Sequence, residues 1–500
     1  MSEKPPTGSG EGENLKVAVA RTLKWNVIDR VSSQILYAVT GIVLALKLTQ
    51  EDFGLVAAIL VFQAFASLFV DSGFSSALIQ RKNPTRLDYS TVLWFNLVMS
   101  VVLYVVLYFL SPWIATLFGG DERLIPLARV MFLTFILNAS AIVQTNMLMK
   151  RMDVKMVAVS NSVGLAAGSV VGIYMAVDGW GAWAIVAQNI VVAGVKSTIL
   201  WLTGGWRPLA AFSMTSLKSC FAVGSGVMVS SFLNTAFQNI ASFFIGLKVG
   251  LAPLGYYGQA DKWSKMGIMS LSQVLTSSFL PLLSSVQDDE ERYVRMCAKT
   301  HRFTAYLLFP AMGLLIVMAR PIFHTLFDTK WDPSILLFQM LLFQGVFTVL
   351  MLLYRNFILG LGKARLLVVT EVVRDVAAIV GIIIVLPYIG LETPESPVEG
   401  LKYLIAGQIA ASALTWAVTL FYAIRLTHRS FWSYMLDLAP YLALTVLIAV
   451  PCMAVNEAEW SPLTVCIMRF AIFATLYLGC NHLLKSRIQR DAVAYIRGKL

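Results

Sequence analysis

Long apolar stretches alternate with short polar segments along the whole chain. Read by hydropathy they fall near 25–47, 54–79, 88–111, 124–149, 156–177, 181–203, 218–247, 264–286, 300–319, 333–359, 366–388, 400–424, 433–455 and 461–484. A helix of about 20 apolar residues crosses the hydrocarbon core, where lipid leaves backbone groups no partner except one another. The pattern therefore predicts an all-α polytopic membrane protein with about fourteen transmembrane helices. The region 252–286 fits least well, because it opens with Gln259, Asp261, Lys262 and Lys265.

The polar segments carry an asymmetry. Segments on one side hold 25 basic residues, among them Arg81, Lys82, Arg86, Lys150, Arg151, Lys155, Arg292, Arg295 and Lys299. Those on the other side hold 8, including Lys47, Arg123, Lys248 and Arg320. The positive-inside rule reads the richer side as cytoplasmic, which places both termini there. An even number of spans requires the same result.

Composition agrees. Hydrophobic residues make up 58% of the 500 residues and charged ones 13%, with mean hydropathy +0.73. A soluble domain carries about twice that share of charge. The net charge of +11 is spread over many short loops, so it calls for no nucleic-acid partner. Residues 1–20 are polar and rich in Gly, Pro and Glu, and read as a disordered cytoplasmic tail rather than a signal peptide; 486–500 reads as a second cytoplasmic tail. Cys220, Cys297, Cys452, Cys466 and Cys480 are scattered, with no Cys/His cluster, which argues against disulfides and metal sites. Neither a Walker A sequence nor G-x-G-x-x-G nor H-E-x-x-H occurs, so no cofactor and no ATP hydrolysis are expected.

The chain also resembles itself. Leu46-Lys47-Leu48 precedes Gly54 as Leu247-Lys248-Val249 precedes Gly255, an offset of 201 residues. The run from Pro112 to Phe118 echoes that from Pro321 to Phe327. This predicts two pseudo-symmetric six-helix lobes, 21–212 and 213–428, followed by a terminal helix pair at 429–485. Lobes with an even number of spans share one topology, and their pseudo-two-fold axis runs along the membrane normal. Gly164, Gly168 and Gly172 stand at small-xxx-small spacing, which suits close helix packing.

Ionisable residues inside spans are expensive in hydrocarbon and face a partner or a wet cavity. Among them are Asp29, Arg30, Asp71, Lys196, Arg355, Glu371, Arg374, Asp375 and Arg469. Arg30, Lys196, Arg355 and Arg374 are candidates to bind diphosphate or acidic sugars, Arg having a planar fork that matches anionic oxygens. Asp29, Asp71, Glu371 and Asp375 are candidates for coupling to H⁺ or Na⁺. Structural alternatives stand beside each. Glu371, Arg374 and Asp375 share one helical face and can neutralise one another. Asp29, Arg30, Lys196 and Arg355 can snorkel to an interface. Asp71, followed by Ser72 and Gly73, can serve a local helix break, and Arg469 lies outside the two lobes.

The segment Phe69–Arg81 (FVDSGFSSALIQR) resembles one typical of the polysaccharide transporter branch of the MOP exporter superfamily. So do Leu254–Asp261 (LGYYGQAD) and Ser278–Leu283 (SFLPLL), and the likeness in segment order covers roughly 20–485. The resemblance implies a Wzx-type flippase in the bacterial inner membrane. Such a protein carries undecaprenyl-diphosphate-linked oligosaccharide repeat units across the bilayer for exopolysaccharide, capsule or O-antigen (lipopolysaccharide) assembly, by alternating access coupled to an ion gradient. Its partners are the lipid-linked oligosaccharide, the bilayer, and a polymerase and glycosyltransferases of the same pathway. Two other readings stay open. The carboxylates also suit a MATE-like multidrug/cation antiporter, and a duplicated helical scaffold without transport would carry the same repeat.

Overall fold

The computed structural model describes residues 9–71, 73–390, 398–455, 457, 459–486 and 488–490, and among them the regular elements are helical. Residues 9–20, expected as part of a disordered tail, belong to the first helix, whose sequence runs on in helix-favouring residues toward the first span. The rest of both expected tails, 1–8 and 491–500, lies outside the described residues. Among the described residues, twelve helical stretches are long and apolar enough to cross a membrane, and the chain is a multi-pass membrane protein. Two more, 34 and 21 residues long, suffice in length at 1.5 Å per residue. Their apolarity is lowered by Asp261, Lys262 and Lys265 in one and by Glu371, Arg374 and Asp375 in the other.

The chain divides into two units, Met1–Gly255 and Tyr256–Leu500. The first holds α1 (Ser9–Lys47), α2 (Gln50–Asp71), α3 (Phe74–Gln80), α4 (Arg86–Leu117), α5 (Leu124–Met131), α6 (Thr134–Lys150), α7 (Val154–Val177), α8 (Trp183–Thr203) and α9 (Met214–Lys248). The second span is broken between α2 and α3. Gly73 has φ +70°, and a Cβ there would strike the carbonyl of Gly224 on α9. Asp71 caps the restarted helix, accepting from the Ser75 backbone N–H (3.3 Å) and hydroxyl (2.5 Å). Asp71 therefore serves the local break. Helix α4 starts in a capping box between Thr85 and Asp88, and Asp88 also accepts from Arg81 at 3.0 Å. In the turn before α5, Arg123 meets Asp121 at 2.7 Å and Glu51 at 3.0 Å. Hydrogen bonds from Arg123 hold the Asp121 carboxyl below its ordinary range.

Helices α7 and α8 touch along the glycine stripe. A Cβ at Gly164 would press on Val192 and Lys196, one at Gly168 on Val192 and Gln188, and one at Gly172 on Gln188. The stripe is a packing face, as its spacing suggests. Hydroxyl pairs pin the neighbours: Thr40 to Ser169 (2.6 Å) and Ser32 to Ser162 (2.9 Å) join α1 to α7, and Ser140 to Ser197 (2.6 Å) joins α6 to α8. At the end of this unit the beginnings of two helices meet reciprocally. Gly54 faces the Leu251 carbonyl, and Gly255 faces the Gln50 carbonyl, both too close for a Cβ.

The second unit holds α10 (Leu251–Ser284, from Tyr256 onward), α11 (Glu290–Leu326), α12 (Asp332–Gly360), α13 (Arg365–Val385), α14 (Glu399–Thr427), α15 (Phe431–Met453) and α16 (Pro462–Leu483). Helix α11 contains Pro310 and Pro321. A proline has no N–H for the carbonyl four residues earlier, so Tyr306 and Val317 each keep an open acceptor. Both are filled from α16. The Tyr477 hydroxyl donates to the Tyr306 carbonyl at 2.8 Å, and Arg469 Nη1 donates to the Val317 carbonyl at 2.9 Å. Arg469, nearly buried, also donates to the carbonyls of Cys452 (3.0 Å) and Val455 (3.2 Å) and pairs with Glu457 at 2.8 Å. Its charge is structural. On the other side of α11, buried His301 meets the Tyr354 hydroxyl on α12 (3.0 Å) and Asp437 on α15 (3.6 Å), and Asp437 pairs with Arg429 at 2.7 Å.

Tyr477→Phe is expected to lower stability by about 1 kcal/mol, the worth of one buried hydrogen bond. In a Pro310→Ala background the helix supplies its own amide to Tyr306, and the same change should cost less. Thermal melts of the four detergent-purified proteins give this double-mutant cycle. Equal losses in both backgrounds would show that Tyr477 does not act through that carbonyl.

Candidate functional site

A cavity of about 330 Å³ lies inside the first unit. Its wall is unusually polar for a bundle of apolar helices. Ser33 and Tyr37 come from α1, Gln63 from α2, Thr134 and Asn138 from α6, Asn161 from α7, and Asn189 and Lys196 from α8. Leu165, Val192 and Ala193 complete it. The glycine stripe of α7 makes this possible. It draws α8 close at Gly164, beside Lys196, so that one helix contributes both Asn189 and Lys196 to the wall.

Two of these groups are fixed from behind. Gln63 donates to the Thr134 hydroxyl at 2.9 Å, and that hydroxyl donates to the Met131 carbonyl at 2.7 Å. Asn189 donates to the Ile185 carbonyl at 2.8 Å. Asp29, one helical turn before Ser33, accepts from Asn161 at 3.3 Å. Its Oδ1 is buried without a hydrogen-bond partner, as is Gln63 Oε1. A buried acceptor with no donor costs about 1–3 kcal/mol. Lys196 interacts electrostatically with Asp29, but among the described residues it makes neither a hydrogen bond nor an ion pair within 4 Å. The cavity wall thus combines oriented amides and hydroxyls with one lysine that has no ion pair among the described residues.

The remaining sequence candidates lie elsewhere. Arg30 is on the exposed side of α1, and Asp71 caps α3. Arg355, Glu371, Arg374 and Asp375 are all in the second unit and form one chain of contacts. Glu371 receives Arg355 of α12 in a close ion pair and Arg374 at 2.6 Å, and Arg374 also holds Asp375 at 2.9 Å. Two positive and two negative charges close on one another, joining α12 to α13. The cluster is partly exposed, and each guanidinium already has a carboxylate. Of the residues expected to hold an anion or an ion, Lys196 lines the cavity, and Asp29 interacts with it electrostatically.

The amides Gln63, Asn138, Asn161 and Asn189 carry no charge and do not stand out in the sequence as the ionisable groups do. The available signal was polar side chains within apolar spans, which in lipid seek partners as charged ones do. Among the described residues no group of three metal-ligating side chains occurs.

Comparison with known proteins adds to this geometry. A family model described as polysaccharide biosynthesis protein matches residues 43–336. The succinoglycan biosynthesis transport protein ExoT of Rhizobium meliloti (strain 1021) is 26% identical over 313 residues. The match covers 63% of this chain and 63% of ExoT, so the chain spans less than two thirds of that relative's length. The solved structure of the lipid II flippase MurJ in an inward closed conformation aligns with TM-score 0.68 at 13% identity, over 91% of this chain and 98% of MurJ. An inward-facing multidrug resistance MATE family transporter of the MOP superfamily aligns with TM-score 0.60 at 15% identity, over 81% of this chain and 99% of that one. These two likenesses show a shared fold.

The ion cluster of the second unit yields a prediction. Glu371→Gln leaves Arg355 without its carboxylate and should lower stability by about 2 kcal/mol, between the values for exposed and buried pairs. Adding Arg355→Gln removes the stranded charge and should recover most of the loss. Melting curves of the single and double variants read this out; a double variant less stable than Glu371→Gln would contradict the closed-cluster account.

Proposed function

Because the chain belongs to the polysaccharide biosynthesis protein family, we propose that it is a flippase for lipid-linked oligosaccharides. Its substrate is an undecaprenyl-diphosphate-linked repeat unit, and it works in the assembly of exopolysaccharide, capsule or lipopolysaccharide O-antigen. The observation that carries this reading is the polar cavity of the first unit. A lipid-linked sugar must pass its hydroxyls through hydrocarbon, and each hydroxyl taken from water needs a replacement partner. Amides and hydroxyls on five helices provide such partners without a large fixed charge. A cationic drug, the substrate class of the antiporter reading, would meet the Lys196 ammonium there.

The membrane is the bacterial inner membrane, and the basic loops and both termini face the cytoplasm, following the bias of Lys and Arg. The headgroup enters from the cytoplasmic leaflet and leaves to the periplasmic one by alternating access. Among the carboxylates considered for ion coupling, Asp71, Glu371 and Asp375 are committed to neighbours. Asp29 keeps a free oxygen and is the one able to change partner during the cycle. A polymerase and glycosyltransferases supply and consume the substrate.

A leaflet assay in a deletion strain tests the proposal. Lipid-linked oligosaccharides should accumulate in spheroplasts in a form that added glycosidase or lectin does not reach. Restoring the gene should expose them and restore polymer. Sugars that are reachable in the deletion strain, with polymer yield unchanged, would sink the flippase reading.

A further inference from the structure

We propose that the membrane-facing surface of α4 and α5 binds the phosphodiester of an anionic phospholipid on Arg129. This does not depend on the flippase reading. Arg129 is the sixth residue of α5, within the fourth apolar stretch, and is partly buried. Two contacts with α4 fix its guanidinium. Nε donates to the Ser111 hydroxyl at 3.0 Å, and that buried hydroxyl donates in turn to the Tyr108 carbonyl at 2.7 Å. The guanidinium carbon also lies 4.2 Å from the centre of the Tyr108 ring, a cation–π contact. Nη1 and Nη2 are left over. Among the described residues Arg129 makes no ion pair, and Ser111 is its one hydrogen-bond partner. Neither Nη is among the buried unsatisfied atoms, so both can be reached from outside. Arg123, six residues earlier, is the opposite case: it holds Asp121 and Glu51.

Two parallel Nη donors match two oxygens of one phosphate group. A phosphodiester carries a single negative charge, which one guanidinium answers; a diphosphate carries more. Position supplies the rest. Hydropathy ends the third span at residue 111, so Ser111 and the guanidinium stand where hydrocarbon gives way to headgroups. Exposed Trp113 lies just beyond, as interfacial tryptophans do. Val105, Val101 and Val98 lie three, seven and ten residues before Tyr108, on its side of α4, and all are exposed. They carry an apolar stripe about 15 Å toward the bilayer centre. An acyl chain joined to a phosphate at Arg129 lies along this stripe, a contact that free phosphate does not make. Phosphatidylethanolamine would bring its ammonium toward the guanidinium, whereas the glycerol of phosphatidylglycerol is uncharged. A snorkelling arginine needs only its charge; one held by edge and face presents its fork in a fixed direction.

Photo-crosslinking to the full chain in detergent micelles tests the site. The probe is phosphatidylglycerol with a diazirine in one acyl chain, and labelled peptides are mapped by mass spectrometry. Labelling is expected between Val98 and Ser111, and excess unlabelled phosphatidylglycerol should suppress it. Phosphatidylethanolamine with the same chains should not, and neither should inorganic phosphate. Arg129→Gln should reduce the labelling about tenfold, the loss of a good hydrogen bond to a charged group, with labelling elsewhere unchanged. Arg129→Lys keeps the charge but loses the fork, and should fall nearly as far. Should these variants fold poorly in a thermal melt, the competition in the unaltered chain still decides. Equal suppression by the two phospholipids overturns the proposal, as does undiminished labelling in a folded Arg129→Gln or Arg129→Lys. Suppression by inorganic phosphate also overturns it, since Arg129 would then hold a free anion.

Discussion

A carbonyl oxygen in hydrocarbon has no water to turn to, and the second unit is arranged around that fact. Helix α11 gives up two internal hydrogen bonds at Pro310 and Pro321, and α16 supplies both replacements through Tyr477 and Arg469. The donors differ because the tasks differ. Tyr306 needs a single partner, and a hydroxyl is enough. At Val317 the side chain must also reach the end of α15, where Cys452 and Val455 offer carbonyls, and a guanidinium with five donors in a plane can do all three. A lysine could not span them. The last two helices are thus part of the construction of α11, not an appendage to it. An arginine that looks costly in a hydropathy reading is there because removing it would leave three carbonyls and Glu457 with lost partners.

The ion cluster of the second unit and the cavity wall of the first use polar groups differently. In the second, Arg355, Glu371, Arg374 and Asp375 saturate one another. Such closed networks fix helices against each other and leave nothing for a ligand. In the first unit Gln63 and Asn189 are each held by a hydrogen bond while they line a polar cavity. That contrast, rather than the number of charges, separates a binding wall from a structural cluster.

Much of this was legible in the sequence because lipid imposes a simple rule. A run of about 20 apolar residues becomes a helix whatever its neighbours do, so most spans could be marked directly. Asp71 before Ser72 and Gly73 announced a break, and the α7 glycines announced a packing face. The site was less legible. Lys196 and Asp29 could be named, but not their convergence with Gln63, Asn138, Asn161 and Asn189, which depends on the rotation of five helices. An amide barely disturbs a hydropathy window and carries no charge to draw attention. The closure of Arg355 on Glu371 was hidden for the same reason, since the two lie on different helices. The repair of the α11 prolines from a helix some 150 residues away also leaves no local trace.

The reciprocal contact of Gly54 and Gly255 links the repeat to the packing. These glycines stand at the 201-residue offset, and so do the residues they touch, Gln50 and Leu251. In a two-fold contact each element meets the counterpart of what it presents. A side chain at either glycine would strike the other helix's backbone carbonyl, which cannot rotate away as a flexible side chain could. A substitution at one glycine alone would be enough to force the helices apart, because the closest approach is set by the larger of the two. The constraint therefore acts at both glycines at once. It gives a physical reason for the same residue to stand at both positions while most of the surrounding sequence differs.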